Sequence, residues 1–273
     1  MNLKEIKESL RTDNKAVKEC IEFKKSTFKT ADSVIIGGSI EGKVTKALHT
    51  SSEHDTADVL KRTIIGNTYN WMDSHGDVHL NSTFKNSIKQ RGEAGKIWHL
   101  HDHEQKMTAK IGVPSKVYEQ EVLWSDLGVS KSGSTQVLMM DTNVMKAYNN
   151  LMFQEYKDGN VDQHSVGMYY VKIDLAVNDP EFKEEFALWE STISKLGNQA
   201  KAEQEGYFWA VKEAKLIEIS AVLEGSNELT PTLEAKDNDP SKDSQNNDPS
   251  KDSQLNREVL NEKAKIEMLR KFI

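Results

Sequence analysis

Three short segments hold the side chains that can do chemistry. They are Trp98-His99-Leu100-His101-Asp102-His103-Glu104, then Gln163-His164-Ser165-Val166-Gly167-Met168, then Glu213-Ala214-Lys215-Leu216-Ile217-Glu218-Ile219-Ser220-Ala221-Val222. In chain order they supply imidazoles, a hydroxyl and a carboxylate. A serine hydroxyl is a weak nucleophile at neutral pH, so it needs an imidazole to take its proton and usually an acid to orient that ring. Ser165, a histidine of the 99–103 cluster and Glu218 are the candidates for these roles. Each also has a plainer reading. Ser165 can cap a turn before Gly167, and Glu218 can pair at the surface with Lys212 or Lys215.

The histidines admit a rival chemistry. If residues 99–103 are extended, His99, His101 and His103 point to one face, and three imidazoles on a strand can ligate a metal. With Asp73, His75, Asp77 and His79 nearby in sequence, a zinc hydrolase is the natural alternative. No His-Glu-x-x-His and no cysteine pair is present. For Asp73 and Asp77 around Gly76, a tight turn with side-chain-to-backbone hydrogen bonds is the preferred reading.

The elements that must position these groups lie mainly between residues 64 and 222. Residues 64–71 and 117–124 read as strands, and 165–177 as a stronger one. Period-two alternation puts Ser165, Gly167, Tyr169, Val171, Ile173, Leu175 and Val177 on one apolar face. Leu216, Glu218, Ser220 and Val222 share a face of another strand. Residues 142–156 read as a helix ending near Gly159. Asp179 as cap, Pro180, the series Phe182, Phe186, Trp189, Ile193, Leu196, and Gly197 as terminator predict a second helix with packing aromatics.

Outside this core, Leu3, Ile6 and Leu10, then Val17 and Ile21, predict amphipathic N-terminal helices around a cap at Asp13. Residues 51–55 read as a polar loop. Asp237 opens a polar nonapeptide (DNDPSKDSQ) that recurs almost unchanged from Asn246, so 236–254 reads as a disordered linker. It leads to an amphipathic helix over 255–273, for which docking on a partner and packing on the chain's own core both remain open.

Composition narrows the classes. The 273 residues fit one catalytic-sized core with additions. Net charge is −7 without a basic block, which argues against phosphate-mediated nucleic-acid binding. Cys20 is the only cysteine, so an intrachain disulfide and a cysteine-based metal cluster are excluded. Neither a leader-like apolar run in residues 1–8 nor a membrane-length stretch is found, so a soluble, intracellular protein is expected.

Four motifs occur in a recognisable order. Asp73-Ser74-His75-Gly76-Asp77 precedes Phe84. Leu100-His101-Asp102-His103-Glu104 precedes Ile111-Gly112. Ser165-Val166-Gly167 opens a strand, and Glu218-Ile219-Ser220-Ala221-Val222 is followed by Asn227. On these motifs the chain, from about residue 64 to 230, resembles the tailed-phage prohead (capsid maturation) serine proteases, relatives of the herpesvirus assemblins.

The resemblance implies an α+β fold, a small closed β-barrel flanked by helices. It would have a helical and polar N-terminal extension (1–60), a protease core (61–235) and a flexible C-terminal tail. It implies Ser165 as nucleophile, His103 as base with His101 as second choice, and Glu218 as third member by order, in a place where relatives use His or an acid. Backbone N–H groups near Val166 and Gly167, or from the helical insertion at 179–206, would serve the oxyanion.

No cofactor or metal is implied. The implied substrates are capsid and scaffold precursor proteins and the protease's own termini. The implied location is the host cytoplasm, within the immature prohead; membrane and nucleic-acid partners are not expected, and a homodimer is left open. A non-catalytic scaffold or assembly protein on the same fold is the alternative from another class.

Overall fold

Apolar spacing at the N-terminus predicts paired helices. The computed structural model, which describes residues 1–30 and 55–233, forms them as α1 (Leu3–Arg11) and α2 (Lys15–Ser26). Asn2 and Glu5 make a reciprocal capping box at the start of α1, and Asp13 Oδ1 accepts the Lys15 N–H between the helices. Ile6 and Val17 are buried in the main apolar cluster, so these helices pack into the core. The readings at 51–54, 236–254 and 255–273 lie outside the described residues. No helix among the described residues is long and apolar enough to cross a membrane.

Eight strands form one sheet: β1 (Val59–Thr68), β2 (Asp77–His79), β3 (Trp98–His101), β4 (Lys110–Leu123), β5 (Ser134–Met145), β6 (His164–Val177), β7 (Tyr207–Ala221) and β8 (Thr232–Leu233). β7 is the hub. β2 and β3 pair with it in parallel along one side, at Trp209–Val211 and Glu218–Ala221, and β6 pairs antiparallel along the other. The sheet continues β3-β4-β5-β1-β8. Helices α3 (Lys85–Ser87), α4 (Asn150–Asp158), α5 (Lys183–Ile193) and α6 (Gln199–Glu205) flank it.

Two helices start later than the sequence reading placed them. Thr142, Val144 and Met145 belong to β5, paired with β1 and in part β4, so the helix expected over 142–156 is confined to α4. Asn149 caps it and Gly159, with φ +76°, ends it. Asp179 accepts the Glu181 N–H in a local turn, which delays α5 to Lys183. Phe182 and Trp189 are buried, as expected of packing residues, and Trp189 lies 5.3 Å from Phe208 between ring centroids.

Bulges decide which face each strand presents. In β6, Val171 is an extra residue opposite β7. Downstream of it the odd residues Ile173, Leu175 and Val177 enter the main core. Upstream, the even residues Val166, Met168 and Tyr170 do. Tyr169 and Val171 are exposed. In β7, Lys212 and Ile217 are extra residues; across Ile217, Leu216 points to the core while Glu218 and Ser220 turn away and Ile219 and Ala221 turn in. Ser165 therefore does not share a face with Ile173 and Leu175, and Glu218 does not share one with Leu216. Each added residue reverses the parity of its strand.

The expected barrel is not closed by strand pairing: among the described residues no ladder joins β6 to β1 or β8. The sheet nevertheless curls. The Ile219 side chain of β7 presses on Gly66 of β1, where a Cβ would lie 2.6 Å from Ile219 Cδ1. The segment from Asn227 to Pro231 spans the gap. Asn227 Nδ2 donates to Thr68 O and Pro231 O accepts from Ile65 N on one side, while Thr230 Oγ1 donates to His164 O on the other.

Candidate active site

The 98–101 strand ends where the chain turns sharply. Asp102 and His103 have φ values of +52° and +55°, the left-handed region that costs non-glycine residues energy and concentrates at functional sites. Asp102 N donates to Ala221 O, the chain reverses, and His103 N donates to Ser220 Oγ at 3.2 Å. The three histidines consequently do not line one strand face. His103 is carried back over β7, where its Nδ1 lies 2.6 Å from Glu218 Oε1.

Glu218 is wholly buried and both oxygens are engaged, Oε1 by His103 and Oε2 by the Ser220 hydroxyl at 2.6 Å. It is not the surface partner of Lys212 or Lys215; Lys212 pairs with Asp174 instead. The carboxylate fixes the ring as the Nδ1–H tautomer, which leaves Nε2 a lone pair. That Nε2 is buried and, among the described residues, has no hydrogen-bond partner. His101 bonds the exposed Asp102 at 3.0 Å and makes no contact with Glu218, which separates the two candidate bases.

Ser165 faces Ser220 across the β6–β7 ladder, and Gly167 faces Glu218. Ser165 is 4% exposed, and among the described residues no hydrogen bond engages its Oγ. It does not cap a turn. Gly167 has an ordinary φ; its role is space. A Cβ there would lie 1.8 Å from Glu218 Oε1 and 2.7 Å from Phe28 Cζ, so the carboxylate crosses β6 where a side chain is missing. Ser165, Gly167, Glu218 and Ser220 form one patch on the face turned from the core, with His103 held against it.

His99 and His164 are spent internally. His164 Nδ1 is 2.8 Å from the Thr230 carbonyl, so it carries hydrogen, and its Nε2 accepts from Tyr156 Oη at 2.8 Å. Tyr156 then accepts from His99 Nε2–H at 3.0 Å, and His99 Nδ1 accepts from Thr142 Oγ1. One carbonyl thus sets the polarity of the whole chain, with both rings neutral. Gly112 of the Ile-Gly motif makes room for it, since a Cβ there would lie 2.7 Å from His99 Nδ1. Among the described residues no group of three or more His, Cys, Asp or Glu is arranged to hold a metal ion.

Burial pushes His164 down to about 4, against the raising effect of the Thr230 carbonyl. Burial pushes His79 down to about 4 and His99 well below its ordinary value, with Lys29 and His164 respectively acting in the same direction. A depressed folded-state pKa contributes stability that is complete above pH 6.5 and is lost as pH falls through that interval toward 4. For His164 the loss is on the order of 3 kcal/mol. Urea midpoints are expected to be level from pH 7 to 8 and to fall steadily from about pH 6.5 to 4.5; a level profile to pH 4.5 contradicts the neutral assignment.

The Asp73-to-Asp77 turn forms as expected. Asp73 Oδ1 accepts from His75 N and Asp77 N, and Gly76 has φ +74°. Its second role has no local sequence signature. Lys29 Nζ sits 2.6 Å from both Asp73 Oδ2 and Asp77 Oδ2, Lys24 Nζ sits 2.7 Å from Asp77 Oδ1, and Tyr170 donates to Asp77. Burial alone would lower the Lys29 ammonium, but the two carboxylates outweigh it and hold it well above its ordinary value. Burial would likewise raise Asp77, and Lys29 and Lys24 overcome it, so its carboxyl lies well below the usual range. Lys24, Lys29 and Phe28 are site-associated residues that the sequence motifs do not single out.

Compared with protein-family models, with curated proteins and with solved structures, the chain matches none.

Proposed function

We propose that this protein is a serine endopeptidase of the prohead-maturation type, with Ser165 as nucleophile, His103 as base and Glu218 as the orienting acid. The observation that carries the reading is the buried His103–Glu218 pair, with Glu218 on the strand that sets Ser220 opposite Ser165; among the described residues no hydrogen bond joins His103 Nε2 to Ser165 Oγ. Such a pair is what a serine needs to be activated, and neither surface salt-bridging nor turn capping accounts for it. The curled sheet, with Ile219 against Gly66 and the 227–231 segment spanning β6 and β1, supports a barrel of the herpesvirus-protease kind.

In the proposed reaction Ser165 Oγ attacks a peptide carbonyl as its proton passes to His103 Nε2. Glu218 stabilises the imidazolium through Nδ1–H, and Ser220 steadies Glu218 by donating to its other oxygen. The proton then goes from Nε2 to the departing amine, and water, deprotonated by the same nitrogen, releases the acyl group. By the same resemblance the substrates are capsid and scaffold precursors and the chain's own termini, met inside the immature head.

The test is the full-length chain and Ser165→Ala, each treated with a fluorophosphonate probe and followed by intact mass alone and with a candidate scaffold or capsid precursor. One probe adduct on the wild type, mapped to Ser165 and absent from Ser165→Ala, with serine-dependent trimming, is the expected result. Stable, unlabelled wild-type chain in the presence of both favours the non-catalytic assembly protein.

A further inference from the structure

The N-terminal segment reaches the patch on the outward face of β6. Lys29 N donates to Met168 O and Met168 N donates to Lys29 O, a two-hydrogen-bond bridge on the free edge of β6 one residue from Gly167. Phe28 packs tilted against Tyr169, ring centroids 5.1 Å apart. Its Cζ and Glu218 Oε1 converge on the space above Gly167, 2.7 Å and 1.8 Å from the point where a Cβ would stand.

Three anchors hold this segment. They are the Met168 bridge, the Lys29 ammonium between Asp73 and Asp77, and Lys24 on Asp77. Breaking a buried ion pair by removing one partner costs several kcal/mol, so the segment is a fixed part of the site and not a strap that comes and goes.

We infer that Phe28 is a positioning residue for the proposed reaction: locked by the Lys24/Lys29–Asp73/Asp77 latch, its ring closes the gap over Gly167 and keeps water from the Glu218 carboxylate that holds His103. This rests on the serine-protease reading. It also gives the Asp73-to-Asp77 turn a task at the site. A dry carboxylate binds its partner more strongly than a wet one, because competing water is excluded and the local dielectric is lower. Gly167 supplies the space for the carboxylate and Phe28 seals it. Phe28 is partly exposed and lies outside the main apolar clusters, so its truncation leaves the core intact.

The experiment uses the full-length chain with Phe28→Ala and Phe28→Leu. Fluorophosphonate labelling is read as separate maximal rate and half-saturation, together with the downfield proton signal of His103 Nδ1–H, assigned by its loss in His103→Gln. Phe28→Ala is expected to lower the maximal rate about tenfold, with half-saturation little changed, and to broaden the downfield signal; Phe28→Leu is expected to restore most of both. Faster labelling of Phe28→Ala would mean that the segment blocks the serine, and unchanged rate and signal would mean packing alone; either overturns the inference. If wild-type chain is unlabelled, the serine-protease reading fails, and the downfield signal still reports whether Phe28 holds the His103–Glu218 pair.

Discussion

Gly167→Ala is expected to lower fluorophosphonate labelling of Ser165 by about a thousandfold while leaving the far-UV circular dichroism spectrum close to wild type. Its backbone is ordinary extended strand, so alanine meets no conformational penalty. The added methyl instead occupies a point 1.8 Å from Glu218 Oε1 and 2.6 Å from its Cδ. The carboxylate must move, and its 2.6 Å contact with His103 Nδ1 goes with it. Loss of the orienting acid costs up to about ten-thousandfold in known triads, and overpacking adds a stability cost of about 1–3 kcal/mol.

Gly66→Ala is the control. It crowds the Ile219 side chain at 2.6 Å, so it should lower the urea midpoint to a similar degree, yet it touches no group of the patch and should keep most labelling. Wild-type labelling in Gly167→Ala would show that Glu218 need not stand where it does.

Lys29→Met should destabilise the folded chain by about 3–5 kcal/mol at pH 7, measured by urea unfolding. The ammonium is 6% exposed and compensates two carboxylates that are themselves 1% and 0% exposed, so its removal leaves buried negative charge that Lys24 alone must balance. The sign of the pH dependence follows. In the wild type Asp77 is held below the usual carboxylate range, so its contribution is present above that range and lost only as pH falls through the lowered value. In Lys29→Met, protonation of the stranded carboxyl relieves the defect, so the gap between variant and wild type should narrow as pH falls from 7 toward 4. A penalty below about 1 kcal/mol, as for an exposed pair, would contradict the latch.

The two variants probe different layers of the same architecture. Gly167→Ala acts inside the patch, where two strands, a histidine turn and the N-terminal segment meet. Lys29→Met acts at the anchor that holds that segment. Residues 1–30 are thus joined to the proposed catalytic region through Phe28 and Lys29.

The sequence by itself determined a good deal. Ser165 and Glu218 stand out because a hydroxyl and a carboxylate occur among apolar residues in runs that read as strands; β6 matches its run closely, and β7 begins earlier than the run around Glu218. The turn of Asp73 through Asp77 and the packing role of Phe182 and Trp189 follow from local rules, and local rules transfer well.

Only the tertiary structure decided the rest, for reasons of geometry and distance. A single bulged residue reverses strand parity, so periodicity put Ser165 on the face of Ile173, whereas Val171 and Ile217 turn the serine and Glu218 to the opposite side. The choice between His101 and His103 rests on two left-handed residues that carry one ring, and not the other, back to β7. Lys29 is 44 residues from Asp73 and 48 from Asp77, a separation at which a charge pair leaves no spacing to read. The need for glycine at 167 is a contact with a residue 51 positions away, and it exists only once both strands are paired.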